Sequence, residues 1–149
     1  MTTITADLRT ARERVVAEHI RAEMAGDLDA TLATFAGEPE YDIVPIGALH
    51  TGDAQVRNLL ESLLHAFPDL GLHPMATRHA DDAVVIEGRM TGTHRGAYAG
   101  FPPTGCAMDL RAAIFFTFDG VDLVRETVYY DELTLLIQIG AVTPPAPPT

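Results

Sequence analysis

The chain changes its hydrophobic period once, at Phe67-Pro68-Asp69, and that change limits the folds open to it. Before it the apolar residues recur at helical spacing, and after it they alternate. Asp7 to Met24 carries Leu8, Ala11, Val15, Ile20 and Met24 among charges, the pattern of an amphipathic helix. Gly26 closes this helix, and Asp27 suits the N-cap of a short second one bearing Leu28, Leu32 and Phe35. Tyr41 to Ile46 alternates weakly and reads as a strand. Thr51 or Asp53 then caps a third helix with the stripe Val56, Leu59, Leu60, Leu63 and Leu64, which Pro68 ends. Four strands follow, over Leu70 to His79, Ala83 to His94, Ala107 to Phe118 and Val121 to Tyr130, with Glu132 to Gly140 as a short closing helix. Pro74 assigns the first of these strands to a sheet edge. Helices first and strands after is an α+β layout: a curved antiparallel sheet with helices on one side.

A chain of 149 residues is one domain, large enough to bury a core without staples. The domain runs over residues 1–142, and the proline-rich tail over 143–149 reads as an extended, mobile end. A single cysteine, Cys106, rules out an intrachain disulfide and a cysteine-cluster metal site. The net charge is −11, and all ten basic residues are scattered arginines, which argues against nucleic acid and anionic membrane surfaces. No apolar run has the length of a membrane span, and Met1 to Ala6 lacks a signal-peptide layout, so a cytoplasmic location is expected.

Asp119-Gly120 is a strong two-residue turn signal. If it forms the turn, Phe118 faces Val121, Arg111 lies opposite Val128, and Asp109 lies opposite Tyr130. Alternation then places Asp109, Arg111, Glu126 and Tyr130 on one face, opposite the apolar face of Met108, Leu110, Ala112, Ile114, Phe116 and Phe118. An arginine flanked by carboxylates can polarise a carbonyl, and it can equally belong to a solvated surface of cross-strand ion pairs. His94 ends an apolar face, where it is either a hydrogen-bonded core residue or an acid/base group. Asp131, at the junction of strand and closing helix, is an N-cap by position. The six histidines show no H-x-H or H-E-x-x-H spacing, and no phosphate loop or G-x-S-x-G element is present, so no metal or cofactor is expected.

Gly92-Thr93-His94-Arg95-Gly96, the turn Pro102-Pro103-Thr104-Gly105 and the ending Tyr129-Tyr130-Asp131 with Gln138-Ile139-Gly140, together with Phe67-Pro68-Asp69, resemble the SnoaL-like polyketide cyclases. That family belongs to the nuclear transport factor 2-like superfamily of cone-shaped α+β domains. The resemblance implies a cofactor-independent cyclase or isomerase that abstracts a proton beside a carbonyl of a small apolar substrate. Glu126 or Asp131 would be the acid/base, Arg111 the stabiliser of enolate charge and His94 a relay. Asp109, Tyr130, Phe115 and Tyr41 would contact substrate. Many relatives carry an acid three residues before the closing aspartate, where this chain has Val128. An epoxide-opening enzyme and a non-catalytic ligand-binding dimer are the alternatives. A homodimer is expected in either case, because the Ala107–Phe118 strand is apolar on both faces, with Ala113 and Phe115 on one and Ile114 and Phe116 on the other.

Overall fold

The computed structural model describes residues 4–148. Residues 1–3, part of the segment on which the signal-peptide reading rests, and Thr149 lie outside that range. Helix α1 (Ala6–Met24) is capped by Thr5, whose hydroxyl accepts from Leu8 N–H, and α2 (Leu28–Ala33) by Asp27 as its residue type implies. Phe35, expected in α2, instead begins β1 (Phe35–Ile43). A 3-10 turn at Val44–Ile46 and a short β2 (Ala48–Thr51) follow, and the sequence pattern does not reveal β2. Helix α3 (Asp53–Ala66) has Gly52 at its N-cap with no side-chain cap, so neither Thr51 nor Asp53 fills that role. Strands β3 (Gly71–His79), β4 (Ala83–Thr93), β5 (Ala107–Asp119) and β6 (Asp122–Tyr130) agree closely with the alternation, and α4 (Glu132–Gln138) closes the fold. Thr143 to Pro148 are exposed and irregular. No helix among the described residues is long and apolar enough to cross a membrane.

The six strands form one curved, unclosed sheet in the order β2-β1-β6-β5-β4-β3. Pro74 does sit on the edge strand, beside a register shift between Pro74 and Ala76. All pairs are antiparallel except β1 with β6, which is parallel and sets Tyr41 beside Glu126. The helices cover one face and build two apolar clusters. One joins Val16, Val56 and Leu60 to Val84, Phe116 and Val128; the other joins Phe67 and Leu135 to Met108 and Leu110. Tyr130 packs against both.

The β5–β6 hairpin departs from its expected register. The turn residues are Gly120-Val121, and Asp119 pairs with Asp122. That two-residue slide alone would preserve every face. A bulge between Phe118↔Leu123 and Thr117↔Arg125 adds a third residue, and an odd shift turns the rest of β6 over. Glu126 therefore pairs with Phe116 and points under the helices, while Arg111 stays on the outer face.

Buried Arg12 on α1 fastens the hairpin tips to the helix. Its Nε–H donates to the Gly120 carbonyl at 2.8 Å, Nη1–H to the Asp81 carbonyl at 3.0 Å, and the guanidinium lies 5.3 Å from the Phe118 ring centroid. Arg12→Ala removes two charge-assisted hydrogen bonds and strands both carbonyls, so urea unfolding should show a loss of about 2–4 kcal/mol. A loss within experimental error would assign these contacts no structural weight.

Candidate functional site

Four polar side chains meet where α1 crosses the parallel β1–β6 pair. The buried stripe of α1 is Arg12, Val16, His19 and Ala22, with Glu23 half-buried beside it, one helical face projecting three ionisable groups inward. His19 is fully buried, its ring edge-on to Phe35 at 5.4 Å and to Phe116 at 5.5 Å. The Thr34 hydroxyl donates to the Thr31 carbonyl at 2.6 Å, so its oxygen is left to accept from His19 Nδ1–H at 2.7 Å. That fixes the tautomer and turns Nε2 toward three oxygens: Tyr41 Oη at 2.8 Å, Glu126 Oε2 at 2.9 Å and Glu23 Oε2 at 3.1 Å. Tyr41 O–H donates to Glu23 Oε2 at 2.9 Å.

Burial alone would push the His19 imidazole down, but hydrogen bonds and charge from Glu126 and Glu23 outweigh it and raise the group to about 10. The imidazolium is thus the resting form, donating to the two carboxylates. Glu126 moves up, first because burial penalises its charge and then because Glu23 repels it; the His19 bond opposes both. Burial and the two glutamates also raise the Tyr41 phenol, which keeps it a donor. Two carboxyl groups thus share one imidazole ring in this cluster. Glu126 uses only Oε2 in these bonds, and no described residue donates to its Oε1.

A cavity of about 240 Å³ opens above this cluster, close to the lower end of the roughly 300–1,000 Å³ typical of small-molecule sites. Glu126, His19 and Tyr41 form its buried floor, and Leu63, Phe67, Met108, Ile114 and Val128 are among its apolar walls. Exposed Ile46, Ala97 and Ala99 also line it and mark its mouth. Near the mouth Tyr98 O–H donates to Glu132 Oε2 at 2.9 Å and lies 3.2 Å from the Tyr130 hydroxyl. Burial raises both phenols, Tyr130 to about 12, so both hold their protons. His19, Glu23 and Glu126 each offer one ligand atom, all within 4.8 Å of one another, and could receive a cation only in place of their mutual hydrogen bonds.

A family model for SnoaL-like polyketide cyclases matches residues 13–139. The chain belongs to that family. Solved structures support the same fold. A protein from Jannaschia sp. CCS1 designated a SnoaL-like polyketide cyclase superposes with a TM-score of 0.84 at 20% identity, covering 96% of this chain and 100% of its own. One from Xanthomonas campestris pv. campestris designated a polyketide cyclase gives 0.80 at 22%, covering 89% and 98%. AclR from Streptomyces galilaeus, designated a hydroxylase, gives 0.76 at 22%, covering 90% and 98%. No curated protein matches the chain.

The motifs shared with the family hold the frame together. Asp69 accepts from Thr93 N–H and the Thr93 hydroxyl, both at 2.7 Å, tying Phe67-Pro68-Asp69 to the end of β4. A Cβ at Gly96 would lie 2.2 Å from the His65 carbonyl oxygen, so only glycine lets this segment close on the end of α3. Thr104 donates to the Ile139 carbonyl at 2.7 Å and accepts from His94 Nδ1–H at 3.1 Å. His94 is buried against Phe67, its Nε2 without a partner, and it does not line the cavity.

Of the residues singled out from sequence, the cavity gathers Glu126, Tyr41 and Tyr130. Arg111 is exposed and paired with Glu87, and Asp109 is exposed and bonded through Oδ1 to Arg89 Nε–H at 3.0 Å. The expected sharing of one face by Asp109, Arg111, Glu126 and Tyr130 is therefore wrong: the bulge turns Glu126 and Tyr130 inward and leaves Asp109 and Arg111 outside. Phe115 lies on the outer face against Tyr129, ring centroids 5.6 Å apart. Asp131 is exposed and caps α4, accepting from Thr134 N–H at 3.1 Å, and its carboxyl is lowered chiefly by the Thr134 hydroxyl. His19 and Glu23 escaped the sequence reading, although their spacing of four on a helix sets them on one face.

Proposed function

We propose that this member of the SnoaL-like family is an acid/base enzyme that moves a proton at a carbon beside a carbonyl in a small apolar substrate. One observation carries the reading: a buried carboxylate, Glu126, bonded to His19 through one oxygen, with its other oxygen lacking a donor at the floor of an apolar cavity. Oε1 takes the proton, the His19 imidazolium steadies the carboxylate through Oε2, and Tyr130, near the mouth, turns its O–H from Tyr98 to a developing oxyanion. Ring closure or isomerisation follows from the enolate so formed. The epoxide-opening alternative needs an arginine among the carboxylates, and no arginine lines the cavity among the described residues. A filled cone would favour a non-catalytic dimerising module, and the interior here is hollow.

A direct test is hydrogen–deuterium exchange at C1 of 2-tetralone, an apolar bicyclic ketone, followed by NMR in D2O. The native protein should accelerate exchange over heat-denatured protein at equal concentration, and equality of the two would reject the reading.

The homodimer remains part of this proposal. Its support is the outer sheet face, where Phe115 and Tyr129 stay partly exposed beside a ladder of Arg78, Glu87, Arg89, Asp109 and Arg111. Light scattering at micromolar concentration should give twice the chain mass of 16.1 kDa, and a monomer mass would remove the dimer.

A further inference from the structure

The cavity contains no positive side chain to balance its acids beyond the single imidazolium. Among the described residues that line it there is neither lysine nor arginine, while Glu23 and Glu126 both do. The two acids share one imidazole, and Glu23 has only the Tyr41 hydroxyl and His19 Nε2 as donors. An isolated carboxylate beside an apolar cavity is costly unless an incoming group neutralises it. The second observation is independent: Glu126, 3% exposed, keeps an oxygen to which no described residue donates. The aromatic rings of Tyr41 and Phe116 line the same floor, and their faces favour a cation.

We propose that the ligand of this cavity is an apolar amine whose ammonium pairs with Glu23 beside the free oxygen of Glu126. The inference rests on reading the cavity as the ligand site and adds the charge of what it holds. An ammonium supplies the missing positive charge and the missing N–H donors together. An anion of the same shape meets two carboxyl groups and no lysine or arginine among the described lining residues, in a medium that screens charge poorly. In the proposed reaction, the carbon between that nitrogen and the carbonyl is the one presented to Glu126, and the protonated nitrogen makes its C–H more acidic.

Calorimetric titration at pH 7.5 with three naphthalenes of matched shape tests this. The probes are N,N-dimethyl-2-naphthylmethylamine, which is protonated at that pH, the neutral 2-isobutylnaphthalene, and 2-naphthylacetate. The amine should bind about tenfold or more tighter than the neutral probe, as a charge-assisted bond in place of an apolar contact requires, and the acetate should bind weakest. In Glu23→Gln the amine should fall to the affinity of the neutral probe, whose own binding should not change and so reports that the cavity is intact. Equal binding of amine and neutral probe in the native protein, or a preference that survives Glu23→Gln, overturns the proposal and leaves the cavity reading standing. Failure of all three probes to bind overturns both.

Discussion

Glu126→Gln should lower the tetralone exchange rate by about 10²–10⁴-fold, the span that a positioned general base contributes. Glutamine keeps the size of the side chain and an oxygen for His19 to bond, so circular dichroism and the unfolding midpoint should report a folded protein. What it loses is the capacity to take a proton. Arg111→Ala should leave exchange within about twofold of the native rate, since Arg111 is exposed on the other face and bonded to Glu87. This contrast separates the cavity cluster from the charged ladder outside it. Full exchange activity in Glu126→Gln would remove Glu126 from the reaction, and a collapse in Arg111→Ala would contradict the register that sets the two apart.

The second large effect is on stability at alkaline pH. His19 rises from 6.5 to about 10 on folding, so the folded chain binds a proton that the unfolded chain gives up. Its contribution is complete below pH 6.5 and is lost as pH climbs through about 10. Glu126 is raised from 4.5 as well, and its shift acts with the same sign, since folding again favours the protonated form. Urea unfolding should therefore show stability falling between pH 6.5 and 10, by an amount on the order of 3 kcal/mol. In Glu126→Gln the imidazolium loses its buried counter-charge, so the slope over that window should flatten. A native profile that is level from pH 7 to 10 would mean that His19 is neutral in the fold.

The framework was legible in the sequence for a local reason. The spans of β3 to β6, the Asp27 cap and the edge proline are short-range patterns, and each appears where it was expected. The family motifs led away from the cavity. Asp69 with Thr93, Thr104 with the Ile139 carbonyl and Gln138 with Asp109 tie segments of the frame together, His94 bonds Thr104 in the core, and Asp131 caps α4. The stripe expected on α1 was the apolar one, Leu8 to Met24. The buried one, Arg12, Val16, His19 and Ala22, is half polar, because Arg12 and His19 find partners on other elements, and no hydropathy pattern registers a satisfied charge.

The amino-acid sequence thus determined the α+β class, the order of the elements and the membership of Glu126, Tyr41 and Tyr130 among the candidates, since these depend on residue type and local spacing. Two long-range events decided the site. The bulge in β6 shifted the hairpin by an odd number of residues and carried Glu126 inward while Arg111 stayed outside. The parallel pairing of β1 with β6 then set Tyr41 beside Glu126 beneath the His19 face of α1. Sheet register has a period of two, so a single extra residue reverses which side chains meet, and only the packed sheet reveals that it is there.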